Sequence, residues 1–196
     1  MSDWKWDDTA LLVIDVQEAV DDPSRGPRNN PQAEENITRL LAAFREAGIR
    51  CVHVRDDSPD PESLFHPSKP GNAIKEIVAP EPGEWLIAKQ VHSAFIGTDL
   101  EERLRREDIN RLVVTGLVAN YCVESTARMA GNLGFDTYVV SDATAAWDQT
   151  GPDGRYHLAD DIHAVTMMSL QDFATIVTTD EVLARLGHGA ALTTAP

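Results

Sequence analysis

Three residues with complementary chemistry each stand at or just after an apolar, strand-like run: Asp15, Lys89 and Cys122. A cysteine thiol is mostly protonated at neutral pH, so it needs a base before it can attack a carbonyl. A carboxylate can accept that proton and later return it to a leaving amine. A lysine beside the carboxylate would keep it ionised. Together the three residue types suit hydrolysis of an amide, with Cys122 as nucleophile.

The elements around these residues form a regular alternation of apolar runs and amphipathic segments. The pattern predicts an α/β fold of three layers, in which helices cover both faces of a six-stranded, mainly parallel sheet. Because parallel strands end at one edge of a sheet, we expect Asp15, Lys89 and Cys122 to meet there. The predicted strands are 10–16, 49–54, 84–89, 111–116, 137–142 and 175–179, and the predicted helices begin at or near Asn30, Asp99, Tyr121, His157 and Asp180.

The first and fourth of these helices carry apolar stripes at helical spacing. In the first, Pro31 follows the cap residue Asn30, and the stripe comprises Ile37, Leu40, Leu41 and Phe44. In the fourth, the residues expected to face inward are Ile162, Val165, Thr166 and Met168. The chain of 196 residues is expected to form a single domain, 1–196, whose last helix ends at Gly187 and whose tail, about 188–196, is frayed.

The segment 56–83 contains six prolines and shows no periodic pattern. A loop of this length in a compact domain is usually a lid, a binding loop or a contact with a partner. It is long enough to complete the pocket of a neighbouring subunit, and this possibility stays open.

The composition argues against several classes of partner. A net charge of −15 repels phosphate backbones and anionic membranes, so we expect neither nucleic acid nor membrane as a partner. No apolar segment has the length of a membrane span, and the acidic start differs from a secretory signal. A cytoplasmic location is the expectation. The two cysteines form no CxxC pair and no Cys/His cluster, which gives no indication of a zinc site.

Each candidate residue alone also has a commoner role. Cys122 could be a small buried hydrophobe, as we expect for Cys51. The histidines, including His92, are expected to be polar packing or surface residues. A helix N-terminus near Cys122 is expected to lower its pKa. That effect also permits a second hypothesis, a redox-responsive thiol protein without amide turnover.

Three blocks in order give the chain a specific resemblance: ALLVIDVQ at 10–17, AKQVHSAFIGTDL at 88–100, and GLVANYCVESTARMAGNLGFDTYVVSDATAAWD at 116–148. They are similar to the isochorismatase-like cysteine hydrolase family, which includes nicotinamidases and ureidoacrylate amidohydrolases. The resemblance implies a parallel sheet in the order 3-2-1-4-5-6 and a homodimer or homotetramer. It implies hydrolysis of a C–N bond in a small amide, carbamoyl or ureido compound through a thioester.

The resemblance also implies roles for matching positions. Cys122 would attack the carbonyl, Asp15 would act as base and then acid, and Lys89 would orient Asp15. A cis peptide bond is expected between residues 117 and 118, and the backbone N–H groups of Val118 and Cys122 would form the oxyanion hole. Four further residues match positions that border the family's pocket, although each could equally serve packing or loop structure: Gln17, Phe95, Tyr121 and Trp147.

Relatives that are nicotinamidases hold a metal through an Asp-x-His pair and a later His. Here Asp56 and His66 are present, but Ser58 stands where the paired His would be. We therefore predict no catalytic metal and no cofactor, leaving open a weak site near Asp56 and His66. A vinyl ether hydrolase of the isochorismatase type, which does not depend on the cysteine, is a further alternative.

Overall fold

A six-stranded, all-parallel sheet forms the middle of the molecule. The computed structural model describes residues 6–193, with side chains described up to residue 187. The sheet strands are β1 (Thr9–Ile14), β2 (Arg50–Asp56), β3 (Trp85–Lys89), β4 (Arg111–Leu117), β5 (Asp136–Ala145) and β8 (Thr175–Val177); the short strands β6 (Gln149–Thr150) and β7 (Tyr156–His157) form a separate antiparallel pair. The order is β3-β2-β1-β4-β5-β8. Without the short pair, this is the predicted 3-2-1-4-5-6 order.

Helices cover both faces of this sheet, which confirms the predicted fold class. They are α1 (Ala33–Glu46), α2 (Leu100–Arg106), α3 (Glu124–Asn132), α4 (Ala159–Leu170) and α5 (Thr179–Thr193). Helices α1 and α5 pack on one face, and α2, α3 and α4 pack on the other. All six residues of β1 are buried, and alternate side chains enter the two cores, as expected of a strand covered on both sides. Within 6–193, no helix has the length and apolarity needed to cross a membrane.

The apolar stripe predicted for helix α1 is confirmed, but the helix begins later than predicted. Its stripe residues are fully buried: Ile37, Leu40, Leu41 and Phe44. Asn30 is not the cap; its φ is 43°, and its side-chain amide donates to the carbonyl oxygens of Ser141 at 3.0 Å and Thr144 at 2.8 Å. Asn30 therefore ties the start of this segment to β5, and the helix begins at Ala33.

Helix α4 is rotated relative to the sequence prediction. Val165 and Met168 are 58% and 62% exposed, so their predicted inward placement is wrong. The buried residues follow another helical stripe, namely Ala159, His163, Thr166, Met167 and Leu170. Because α4 is apolar on more than one side, periodicity alone did not determine the side that meets the sheet.

Helix α5 is longer than predicted. Its backbone is helical to Thr193, beyond the predicted end at Gly187 and into the segment expected to be frayed. Residues 194–196 of that predicted tail lie outside the described part of the chain.

The sheet register brings the carboxyl ends of four strands to one level. Ile14 lies beside Val54 on one side and Gly116 on the other, and Asp56 lies beside Lys89. Gly116 has φ 120°, and a Cβ there would lie 2.1 Å from the carbonyl oxygen of Ile14. Only glycine permits this approach of β4 to β1, next to the candidate site.

The segment 56–83 is folded against its own chain rather than open. It contains two short 3₁₀ turns, Pro70–Asn72 and Glu76–Val78. Lys75 lies 2.7 Å from a carboxylate oxygen of Asp21 and 2.8 Å from one of Glu34. These ion pairs hold the loop against the segments that follow β1.

Candidate active site

The structure brings Asp15, Lys89 and Cys122 together at the carboxyl edge of the sheet. Lys89 Nζ lies 2.6 Å from Asp15 Oδ2 and 3.4 Å from Cys122 Sγ. The three residues are 2%, 1% and 7% exposed. Ionisable groups are rarely buried this completely unless they are paired, and here the ammonium bridges the carboxylate and the sulfur.

Each of the three residues follows a different strand. Asp15 comes directly after β1 in a left-handed conformation, with φ 50°, and its N–H donates to the carbonyl of Val54 at 2.9 Å. Lys89 is the last residue of β3. Cys122 lies in the segment between β4 and α3.

The segment that carries Cys122 differs from the predicted helix beginning near Tyr121. It forms one π-helical turn, Ala119–Val123, and α3 begins only at Glu124. The N–H groups of Tyr121 and Val123 both point to the Val118 carbonyl, at 3.1 and 3.4 Å. The Leu117–Val118 peptide bond is cis. Cys122 therefore lies in a wide turn rather than in the first turn of a regular helix.

Burial raises the pKa of Asp15 from 3.8 to about 6, against the opposing effects of Lys89 and of the Cys122 thiol. The Oδ1 atom is buried and accepts no hydrogen bond of good geometry among the described residues. The Cys122 thiol is the neighbouring donor, because a carboxylate oxygen of Asp15 and Sγ lie within 4.8 Å of each other. The Asp15 carboxylate thus has an oxygen, Oδ1, that can accept a proton near the Cys122 thiol.

Burial, and then the negative charge of Asp15, raise the pKa of the Cys122 thiol. This contradicts the expectation of a lowered pKa, because burial and the carboxylates of Asp15 and Asp56 outweigh the opposing effect of Lys89. For Lys89, burial acts to lower the pKa, but the attraction of Asp15, Cys122 and Asp56 outweighs burial and leaves it raised. At neutral pH the resting site therefore holds a thiol, a carboxylate and an ammonium.

Asp56 is a second carboxylate at the site, with Oδ2 3.7 Å from Lys89 Nζ. Burial raises its pKa, and Lys89 opposes that shift. Potential ligand atoms of Asp15, Asp56 and Cys122 lie within 4.8 Å of one another, and within the described residues His66 is not part of this group. The group does not suit a metal ion well, since the Lys89 ammonium lies among the same atoms and would repel a second cation.

His92 is a residue near Cys122 that was not predicted from the sequence as part of the site. Its Nδ1 lies 3.5 Å from Cys122 Sγ, and its ring stacks on Tyr121 with centroids 5.9 Å apart. It follows Lys89 by three residues, on the loop that leaves the same strand end. That position was the available signal, although histidines on loops are common.

Two of the four predicted pocket residues serve the structure of the chain. Gln17 is fully buried, and its amide donates to the carbonyls of Asp56 and Asn72 and accepts from the N–H of Asp56, at 2.8–3.0 Å. Phe95 stacks on Phe135, with centroids 5.7 Å apart, and packs on the core. These placements fit the packing alternative rather than a contact with substrate.

The other two follow strands at the same edge of the sheet, Tyr121 next to Cys122 after β4 and Trp147 after β5. Tyr121 is 43% exposed next to Cys122. Trp147 is buried, and the guanidinium groups of Arg25 and Arg28 lie over its ring, 5.8 and 5.1 Å from the centroid. Neither arginine could be predicted as part of the site from the sequence, because both lie on an irregular loop whose path no pattern predicts.

Comparisons with known proteins show the family to which the chain belongs. Residues 9–181 match the family model described as an isochorismatase domain. The chain is 49% identical over 175 residues to an uncharacterized isochorismatase family protein, YrdC, of Bacillus subtilis (strain 168), covering 89% of this chain and 94% of that protein. It is 31% identical to the ureidoacrylate amidohydrolase RutB of Methylorubrum extorquens, covering 74% and 72% of the two chains.

A crystal structure of a hydrolase of the isochorismatase family from Chromobacterium violaceum superposes with a TM-score of 0.91 at 45% identity, covering 94% of this chain and 96% of the other. The family model spans most of the chain, and both relatives exceed 30% identity over more than two thirds of it. The chain therefore belongs to the isochorismatase family of hydrolases.

Proposed function

We propose that this chain is a cysteine-dependent hydrolase that cleaves a C–N bond in a small amide, carbamoyl or ureido compound. The observation that carries the proposal is the buried contact of Lys89 with both Asp15 and Cys122. A buried carboxylate with a pKa of about 6 beside a neutral thiol is suited to moving a proton in both directions near neutral pH. The similarity to an amidohydrolase supports the same reaction class.

In the first half of the reaction, Cys122 Sγ attacks the substrate carbonyl while its proton passes to Asp15. The negative charge that develops on the carbonyl oxygen would be stabilised by the backbone N–H groups of Val118 and Cys122. Asp15 then donates its proton to the leaving nitrogen, the C–N bond breaks, and a thioester on Cys122 remains. Lys89 keeps Asp15 in place and compensates its charge throughout.

In the second half, a water molecule gives its proton to Asp15 and attacks the thioester carbonyl. The C–S bond breaks, and the proton returns from Asp15 to the sulfur. The products are a carboxylic or carbamic acid and an amine or ammonia. His92 Nδ1, at 3.5 Å from the sulfur, is a polar group in contact with the reacting thiol.

The test is release of ammonia or amine from a panel of small amides, carbamoyl amines and ureido compounds. Wild type is compared with Cys122→Ala and Asp15→Asn, all treated with a chelator. We expect turnover by wild type alone, and a thioester adduct on Cys122 detectable by mass spectrometry after rapid acid quenching.

Equal turnover by Cys122→Ala would contradict the proposal and favour acid–base chemistry by Asp15 alone, as the vinyl ether alternative requires. The redox alternative depended on a lowered thiol pKa, and burial raises it instead.

A further inference from the structure

Arg25 is held in a fixed position at the carboxyl edge of the sheet. It ends a short 3₁₀ turn, Pro23–Arg25, on the loop that follows β1, and its Nε donates to the carbonyl of Ala19 at 3.1 Å. Its guanidinium carbon lies 5.3 Å from the ring centroid of Phe65 and 5.8 Å from that of Trp147. The two rings come from the 56–83 loop and from the segment after β5. Three loops thus hold one half-buried cation.

No carboxylate among the described side chains lies within 4.0 Å of this guanidinium, and its recorded side-chain hydrogen bond uses only Nε. Arg28 provides the contrast, since it lies over the same Trp147 ring but donates two hydrogen bonds to Glu34, at 2.8 and 2.6 Å. Asp22, the acidic residue near Arg25 in sequence, accepts from Ser24 instead. Arg25 therefore keeps its two terminal nitrogens available to an anion.

The guanidinium lies at the same edge of the sheet as Cys122. Ala145 pairs with Leu117, so Trp147, two residues further on, follows the strand next to the one that leads to Cys122. Arg25, which lies over the Trp147 ring, is on the loop that follows β1 and Asp15. Arg25 and Cys122 are thus both carried by segments that leave the carboxyl edge of neighbouring strands, β1 and β4.

Charge is unevenly distributed along this edge of the sheet. At the nucleophile, the two carboxylates of Asp15 and Asp56 face the single ammonium of Lys89. A second anion placed there would be repelled, so only an uncharged carbonyl group suits that end. An acidic group of the same ligand would be stabilised at the other end, beside Arg25.

We propose that Arg25 is a specificity-determining residue that binds a carboxylate of the substrate. This inference rests on the proposed hydrolase function and narrows its substrate class to small amides, carbamoyl or ureido compounds that also carry an acidic group. The planar guanidinium matches a carboxylate with two parallel hydrogen bonds, and its contacts with the Phe65 and Trp147 rings limit its movement.

The first experiment compares two alkylating agents of similar shape, iodoacetate and iodoacetamide, on Cys122. In both reactions the sulfur forms a bond to carbon, iodide leaves, and the thiol proton passes to Asp15. The rate ratio, iodoacetate to iodoacetamide, is measured by mass spectrometry of the Cys122 peptide. Cys51 is buried and lies in a separate peptide.

We expect Arg25→Gln to lower this ratio by about fivefold or more, because the anionic reagent loses an attractive charge in a dry site. Arg25→Lys should give an intermediate ratio, since it keeps the charge and loses the planar fork. Arg106→Gln, which removes an equal charge from an exposed position on α2, is the matched control and should retain the wild-type ratio. Equal iodoacetamide rates and equal unfolding temperatures would establish that the variants are folded.

The second experiment measures kcat/KM for N-carbamoylglycine and for its uncharged carboxamide. We expect Arg25→Gln to lose roughly 10- to 100-fold on the acid and little on the carboxamide. If both ratios stay unchanged in Arg25→Gln while amides are still hydrolysed, the Arg25 proposal is overturned and the hydrolase proposal stands. If the alkylation ratio falls but wild type hydrolyses no amide, the anion site is supported and the hydrolase proposal fails.

Discussion

At the scale of single residues, the distribution of protons in the cluster follows from burial. Removing Asp15 and Cys122 from water disfavours the charged form of each, and the Lys89 ammonium, which contacts both, compensates one negative charge. The carboxyl group takes the negative charge, and the sulfur keeps its proton. In the proposed reaction, the Cys122 thiolate therefore forms only as Asp15 accepts the thiol proton, during attack on the substrate.

This arrangement predicts an acidic limb in the pH profile. Because protonated Asp15 cannot accept the thiol proton, kcat/KM should fall about tenfold per pH unit below a midpoint of about 6. The measurement is kcat/KM against pH on a substrate that does not itself titrate between pH 4 and 8. A midpoint near 4, the ordinary value for an aspartate, would contradict the assignment, and Asp15→Asn should be inactive at every pH.

The raised pKa of Asp15 also affects folding, and there the protonated form is the favourable one. The pKa of Asp15 is higher in the folded protein than in the unfolded chain, so the folded state holds the proton more tightly. This contribution to the free energy of unfolding is fully present below about pH 4 and is lost as the pH rises through about 6. Ionisation of the base thus favours the reaction and disfavours the fold.

The contact of Asp15, Lys89 and Cys122 could be predicted from sequence because strand ends in a parallel sheet converge at one edge. The protonation states of these three residues could not be predicted from sequence. Desolvation sets them, and desolvation depends on the packing of distant segments; the helix start expected near Cys122 is also a π-turn instead. His92 and Arg25 were missed for a related reason. Each lies on a loop whose residues carry no periodic pattern.

At the scale of elements, the 56–83 loop is joined to the end of β1 by a network of buried amides. Gln17 connects Asp56 and Asn72, and Asn72 in turn donates to the carbonyls of Asp56 and Phe65 and to the carboxylate of Asp57. Lack of pattern in the sequence indicated a loop, but not that side-chain amides would organise it. Phe65, which packs on Arg25, takes its position from this network.

The network predicts a structural effect for a residue first considered as a substrate contact. Gln17→Met would leave the N–H of Asp56 and the carbonyl of Asn72 without a buried partner. The free energy of unfolding should fall by about 1–3 kcal/mol, measured in urea. Gln32→Met is the control, because Gln32 precedes α1 with no side-chain capping hydrogen bond and is exposed.

An unchanged free energy of unfolding in Gln17→Met, with a raised KM, would instead favour the substrate contact. A loss of stability equal to that in Gln32→Met would count against the role of the network.

At the scale of the whole molecule, the strand order and the two-sided covering of the sheet followed from alternating patterns and from the family resemblance. Sequence patterns did not predict which side of α4 meets the sheet or where α5 ends, because both depend on contacts between distant parts of the chain. The homodimer or homotetramer and the cytoplasmic location stay predictions.

Two carboxylates away from the cysteine should make the molecule sensitive to acid. Burial acts to raise the pKa of Glu34 and Glu84, but hydrogen bonds from Arg28 and Lys75 to the first, and from Arg45, the Glu81 backbone and His53 to the second, lower both to about 2. Their stabilising contribution is complete above about pH 4.5 and is lost as the pH falls towards 2. Burial also lowers the pKa of His53, whose contribution is lost below about pH 6.5.

We therefore expect the free energy of unfolding to decrease as the pH falls from about 4.5 to 3, measured by urea denaturation at each pH. Glu84→Gln should be less stable than wild type at pH 7, and the difference should shrink towards pH 3, where the wild-type carboxylate is losing its advantage. Parallel curves for the two proteins would contradict this account.

The complete burial of Lys89 has a further consequence for chemical labelling. Amine-acylating reagents can reach this nitrogen only when the carboxyl edge of the sheet opens, because its side chain is 0% exposed. Lys69, on the 56–83 loop, is partly accessible in the folded state. Comparing the acylation rates of the two lysines in one sample reports how often the cluster is exposed to solvent. The acylation rate of Lys89 therefore measures how often the cluster opens to solvent.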